Sequence, residues 1–230
     1  MSLDIETPDY LKKTYWWAYV QPWAIKFWDR EWLIELILWF NYKRLRDAAL
    51  AAFGDELAGC TIQLSCTYGT LTPRLYEKIE EFDGSLDVVD VVRPQLENLN
   101  HKLSQPNRVR LLNMDASKLD LPNEGYDRVL LFFLLHELPS DVRERVLDEA
   151  FRIVKPGGTV LIVEFSKPKW WHPLRYIYLP FLAILEPFAP DIWNHDDVTA
   201  WLPKRHADCL VKRELFFGNY YQVLLFKAST

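Results

Sequence analysis

A chain of 230 residues is long enough to bury one sizeable α/β core without a disulfide or metal staple, so one domain with decorations is expected. A formal charge of -5 and a pI near 5.6 leave no basic field for a phosphate backbone, which speaks against nucleic acid and for a small or lipophilic ligand. Three cysteines, Cys60, Cys66 and Cys209, lack metal-like pair spacing and read as reduced thiols, and no signal-peptide pattern opens the chain; both fit a cytoplasmic protein.

Six of the ten tryptophans precede Phe40. Between Trp16 and Ala52 the residues Ile25, Trp28, Trp32, Leu36 and Trp39 recur at spacings of three and four, which predicts amphipathic helices over 10–52, ahead of the first strand. Thr61 to Cys66 then reads as a short strand. Thr72-Pro73 opens a helix through Phe82, with threonine as its N-cap. The alternation continues with a strand at Ser85 to Asp90, a helix over Pro94 to Leu103, and strands at Arg108 to Leu112 and Tyr126 to Leu135. The last is apolar enough to be buried on both faces. A helix from Ser140 to about Val154 follows, then a turn at Lys155-Pro156-Gly157-Gly158 and a strand from Thr159 to Phe165. Two closing strands are expected near Cys209 to Phe217 and Tyr220 to Phe226. The repeated units specify a doubly wound, mostly parallel α/β sheet with ligands at the carboxyl ends of its strands.

An aromatic insertion at 167–205 interrupts this rhythm, with Trp170, Trp171, Tyr176, Tyr178, Phe181 and Phe188 among prolines. It is expected to be partly helical. Pro180, Glu186 and Pro187 break its apolar run short of the roughly 20 residues that a spanning helix needs.

Asp90 ends the second strand, where a carboxylate can accept both hydroxyl protons of a ribose. Asp115, in Asn113-Met114-Asp115-Ala116-Ser117, is placed to accept from an adenine amino group, with Ala116 beside it. Followed by Tyr126-Asp127 and the Lys155 to Gly158 turn, this order resembles the Rossmann-like class I S-adenosylmethionine (SAM)-dependent methyltransferase fold from Cys60 onward. More narrowly, Tyr15 to Val20, Leu86 to Val91, Leu131 to Glu137 and His172 to Tyr176 resemble the RquA family of bacterial rhodoquinone biosynthesis proteins over most of the chain.

The methyltransferase pattern carries an acidic residue in its first strand and then glycines at alternate positions. Here those positions hold Gln63, Ser65, Thr67 and Gly69. A carboxylate near the cofactor's α-amine would hold it as ammonium, which is no nucleophile. The narrower resemblance implies that SAM is an amino donor, converting ubiquinone to rhodoquinone by replacing a ring methoxy group. Gln63 and Tyr68 are then expected to hold the methionine part loosely, with Ser65 and Gly69 completing the cofactor loop. His136 is the candidate general base, with Glu137 beside it. The resemblance further implies a divalent ion, manganese, although no local spacing names its ligands.

A prenylated quinone lives in the bilayer, so the protein is expected to associate peripherally with the bacterial inner membrane through its two aromatic segments. Lys12, Lys13, Lys26 and Arg30, and Lys167, Lys169 and Arg175, would meet lipid headgroups. Quinone methylation and a non-catalytic quinone- or SAM-binding scaffold are the alternative functions. Oligomeric state is not readable.

Overall fold

The computed structural model describes residues 7–103, 107–176, 186–194, 198–202 and 204–229, within two compact units, Met1–Leu121 and Pro122–Thr230. The first unit opens with short helices: α1 (Asp9–Thr14), a π-helical turn (Trp16–Val20), α2 (Pro22–Trp28), α3 (Glu31–Ile37) and α4 (Tyr42–Ala52). Two of the breaks have a local cause. Pro22 confines Gln21 to extended backbone, and Trp39 and Phe40 both sit at positive φ, 52° and 60°. The breaks reset the helical phase. The expected stripe is therefore not one buried face: Ile25 is buried and Trp28 half-buried, whereas Trp32, Leu36 and Trp39 are exposed and Leu33, Ile34 and Leu38 take the inward positions.

Beyond α4 come β1 (Cys60–Leu64), α5 (Leu71–Glu80), β2 (Ser85–Asp90), α6 (Arg93–Lys102) and β3 (Val109–Asn113). The three strands pair in parallel in the order β3-β2-β1. The helix expected to start at Thr72 begins at Leu71, and neither Thr70 nor Thr72 caps it through its side chain. Both threonine hydroxyls are committed elsewhere, as described below.

The second unit holds β4 (Tyr126–Phe132), a 3₁₀ turn (Leu135–Glu137), α7 (Ser140–Ile153), β5 (Val154–Phe165), β6 (Leu210–Phe216) and β7 (Tyr221–Lys227). β4 pairs with β5 in parallel, while β5 with β7 and β6 with β7 are antiparallel. Val129 to Leu131 and Val160 to Val163 are fully buried, as their unbroken apolar runs require. The Lys155 to Gly158 turn lies within β5 as a bulge. Val154 pairs with Tyr126 and pairing resumes at Thr159 with Arg128, so the intervening residues loop out beside Asp127. Lys155 Nζ closes it by donating to both Asp127 oxygens at 2.9 Å.

Within the aromatic insertion, Ala189–Asn194, Val198–Trp201 and Lys204–Ala207 form short helical turns, while Tyr178, Pro180 and Phe181 lie outside the described residues. Trp170, Trp171 and Tyr176 are exposed. Among the described residues no helix is long and apolar enough to cross a membrane.

Candidate functional site

The β1–α5 loop keeps a glycine-loop backbone with only Gly69 left of its glycines. Ser65 sits at φ 75° and Gly69 at φ 80°. The left-handed conformation at Ser65 costs roughly 1–2 kcal/mol for a residue with a Cβ. It is held by a hydrogen bond from Ser65 N to Val89 O, at 2.8 Å, and by the buried amide of Gln63. Gln63 Nε2 donates to Ser65 O at 2.9 Å and toward Thr67 Oγ1 at 3.4 Å, while Gln63 Oε1 accepts from Thr72 Oγ1 at 3.0 Å. A carboxylate could take the Thr72 proton, but it has none to give Ser65 O. Gln63 therefore holds the loop together from beneath.

The N-terminal helices hold the same loop from outside. Tyr42 Oη accepts from Thr70 N at 2.7 Å and Leu71 N at 2.9 Å, and donates to Tyr68 O at 3.2 Å. It thereby caps α5 in place of a threonine side chain. Asp29 accepts from Gly69 N at 2.7 Å, and also from Asn98 and Lys102 on α6. Thr70 Oγ1 donates to Glu31 and accepts from Arg46 Nη1; the Thr70 bond is the main cause of a lowered Glu31 pKa. Any side chain at Gly69 would run into Tyr42 Oη. Tyr68 is likewise committed: its hydroxyl donates to Ala18 O at 2.7 Å and accepts from Gln95 Nε2 at 2.9 Å, so the expected methionine-holding group is a strut to the π-helical turn and α6.

Asp90 stands where a ribose acceptor was expected, and both its oxygens are already engaged. Oδ1 accepts from Val92 N at 2.8 Å, and Oδ2 from Cys66 N at 2.8 Å and Ser65 Oγ at 3.4 Å. Burial raises its pKa to about 6 against the lowering effect of those donors. Burial and then the Asp90 charge push the neighbouring Cys66 thiol well up, which keeps it neutral. Asp115 is half-buried and accepts from Ser117 N at 2.8 Å, shaping a turn that presents Ala116 at its centre. Asn113 Nδ2 donates to Asp90 O and Val91 O and so sets the end of β2 beside that of β3.

In the second unit His136 Nδ1 lies 2.9 Å from Glu164 Oε1, with both side chains buried. Glu164 also accepts from the N–H groups of Leu135, His136 and Phe165. Burial works to lower the His136 pKa, but the charge and hydrogen bond of Glu164, aided by Glu186 and Glu137, outweigh it and lift the value to about 9. The ring is consequently an imidazolium at neutral pH. A ring whose pKa is raised in this way favours the donating form over the base expected from sequence, and its Nε2 lies 3.9 Å from Glu137 Oε1. Glu164 was missed from sequence; its one signal is a carboxylate inside the apolar run Val160 to Phe165. Asp29, Glu31 and Tyr42 carried no comparable signal.

Among the described residues no three His, Cys, Asp or Glu side chains converge as a metal ligand set. Around His136, the Glu164 carboxylate is spent on three N–H groups and the imidazole, so these residues do not fit the expected manganese ion.

Residues 62–158 match the model of a methyltransferase domain family. A demethylmenaquinone methyltransferase of Bacillus licheniformis is 26% identical over 175 residues, covering 76% of this chain and 74% of that protein. The ubiquinone/menaquinone biosynthesis C-methyltransferase UbiE of Coxiella burnetii is 37% identical over 70 residues, 30% of this chain and 27% of that one. Among solved structures, an O-methyltransferase family protein from Burkholderia thailandensis matches with a TM-score of 0.63 at 16% identity, over 86% of this chain and 59% of that one. The N-methyltransferase NodS from Bradyrhizobium japonicum WM9, in complex with S-adenosyl-L-homocysteine, matches with a TM-score of 0.58 at 11% identity, over 82% of this chain and 87% of that one. The fold is the Rossmann-like fold of SAM-dependent methyltransferases.

Proposed function

We propose that this chain is a SAM-dependent transferase of a prenylated quinone, and that the group it transfers is the cofactor's α-amino group, to ubiquinone in place of a ring methoxy group. The observation that carries the amine reading is Gln63. The acidic position of the methyltransferase loop is a buried amide spent on Ser65, Thr67 and Thr72, so no carboxylate at that position holds the α-amine as ammonium. The motif resemblance to the rhodoquinone biosynthesis family supports the same reading. In the reaction the ring C–N bond forms as the methoxy group leaves as methanol. The nitrogen parts from the donor when the α-carbon gives up its proton and its electron pair reduces the quinone ring, and hydrolysis then leaves a 2-oxo acid. The His136 imidazolium suits polarisation of a quinone carbonyl.

A second reading is methyl transfer to the quinone ring, and it has specific support: the Bacillus and Coxiella relatives are named as methyltransferases of quinone biosynthesis. Under either reading the substrate is lipophilic. Exposed Trp16, Trp23, Trp32 and Trp39 in the first unit, and Trp170 and Trp171 in the second, support peripheral work at a membrane surface, which this reading assigns to the cytoplasmic side of the inner membrane.

The deciding experiment incubates protein and ubiquinone with SAM labelled with heavy nitrogen at the α-amine and heavy carbon at the methyl, with and without manganese. Heavy nitrogen in the lipid is expected. Heavy carbon alone overturns amino transfer in favour of methylation, and an unlabelled lipid overturns both.

A further inference from the structure

The segment that clamps the cofactor loop also carries a run of exposed aromatic residues. On α2, α3 and the turn that follows, Trp23, Phe27, Trp32, Leu36, Ile37, Trp39 and Phe40 are exposed, Phe40 by 75% and Trp23 by 65%. Charge is sorted by side along the same stretch. Its carboxylates, Asp29, Glu31 and Glu35, are at least partly buried: Asp29 holds Gly69 N, Glu31 holds Thr70, and Glu35 accepts from Tyr42 N at 3.1 Å. Its exposed charges are the cations Lys26 and Arg30, with Arg30 lying over the Phe27 ring. Exposed indoles beside exposed cations are the complement of an anionic lipid surface, where a ring is half-immersed and a cation meets a phosphate.

The turn adds a second observation. Trp39 and Phe40 occupy consecutive left-handed positions that bulky side chains rarely adopt, held by Phe40 N on Glu35 O and by Asn41 Nδ2 on Leu38 O and Trp39 O. The turn sets Phe40 outside the core and leaves Trp39 partly exposed beside it. Helices of seven residues are marginal alone, so burial of their outer face would stabilise them considerably.

We infer that membrane docking of this face and SAM binding at the β1–α5 loop are one linked equilibrium, transmitted by Asp29, Glu31, Glu35 and Tyr42. This rests on the SAM and membrane readings above. Lipid that orders α2 to α4 orders the Gly69 to Leu71 amides these residues hold, so the loop meets its ligand already formed. Linkage is reciprocal: bound cofactor tightens docking by the same factor.

The test measures S-adenosylhomocysteine affinity of the full chain alone, with phosphatidylcholine vesicles, and with phosphatidylethanolamine–phosphatidylglycerol vesicles. Hydrogen exchange of the Gly69, Thr70 and Leu71 amides is followed in parallel. Anionic vesicles are expected to tighten binding roughly fivefold or more and to slow the three amides. Tyr42→Phe should still sediment with vesicles but lose that gain. Phe40→Ser, at an exposed position, should reduce sedimentation and gain together. Equal affinity with and without anionic vesicles overturns the linkage, as does self-association through this face without vesicle binding. Failure to bind S-adenosylhomocysteine in every arm overturns it too, and that outcome alone also removes the SAM-dependent function.

Discussion

At the scale of single residues, the loop's chemistry turns on proton count. Replacing Gln63 with Glu sets a carboxylate oxygen against Ser65 O, 2.9 Å away, where an N–H now donates. Gln63→Glu is expected to cost about 1–3 kcal/mol by chemical denaturation. Ser65 offers a sharper contrast. Ser65→Gly should be neutral within about 0.5 kcal/mol, because relief of the left-handed backbone offsets the lost hydroxyl and the freer unfolded chain. Ser65→Val, β-branched at φ 75°, should lose about 2 kcal/mol or more. Substitution at Gln63 was legible in the sequence, but its consequence was not. Thr72 lies nine residues on, and only the turn back from β1 into α5 brings its hydroxyl to the amide. His136 was legible as a candidate from its position alone. Its place after β4 marks a strand end, whereas its protonation is set by Glu164, 28 residues away on β5.

Among the elements, the strands were the more readable. Apolar runs such as Val129 to Leu131 have few ways to be buried other than between two layers, and the observed β2, β4 and β7 fall within a few residues of their expected ends. The N-terminal helices were readable as helices but not as a face, because the breaks at Gln21 and at Trp39-Phe40 shift the register that periodicity assumes. The β5 bulge sits between these cases, since its glycines signal a turn and only pairing with β4 tells a bulge from a connection. A Cβ at Gly158 would lie 2.8 Å from the Val154 side chain and 2.9 Å from Asp127 O and Lys155 O. Gly158→Ala should therefore lower the melting temperature, at a cost of about 1–3 kcal/mol, and loosen the Lys155–Asp127 pair.

For the whole molecule, the groups with raised pKa values predict how stability follows pH. Asp90 titrates near 6 in the fold against an ordinary 3.8, so its contribution is full below 3.8 and is lost as pH rises through about 6. His136 titrates near 9 against 6.5, so the stability of its ion pair is full below 6.5 and is lost as pH rises through about 9. Melting temperatures of the wild type minus those of Asp90→Asn should fall across the first window, and those minus His136→Gln across the second. A flat difference in either window would contradict that assignment. Under the proposed reaction, activity should also fall on the alkaline side as the imidazolium is lost, with an apparent pKa near 9 that His136→Gln removes. The fold as a whole was legible because it is repeated many times along the chain. The site was less so, because its decisive contacts join segments far apart in sequence, as Tyr42 and Asp29 join the helices to Gly69, Thr70 and Leu71.

Tyr42 has one proton to give and two lone pairs to offer, and Tyr68 O, Thr70 N and Leu71 N use all three. A loop graft therefore cannot be made by itself. Writing glycines at Ser65 and Thr67 and an acid at Gln63 would restore the letters of the methyltransferase motif, yet the amides at its far end would remain in the grip of the N-terminal helices. Conversion to a conventional motif would have to replace the helices as well, so the transferable unit of this protein runs from Asp29 to Asp90 and not from Gln63 to Gly69.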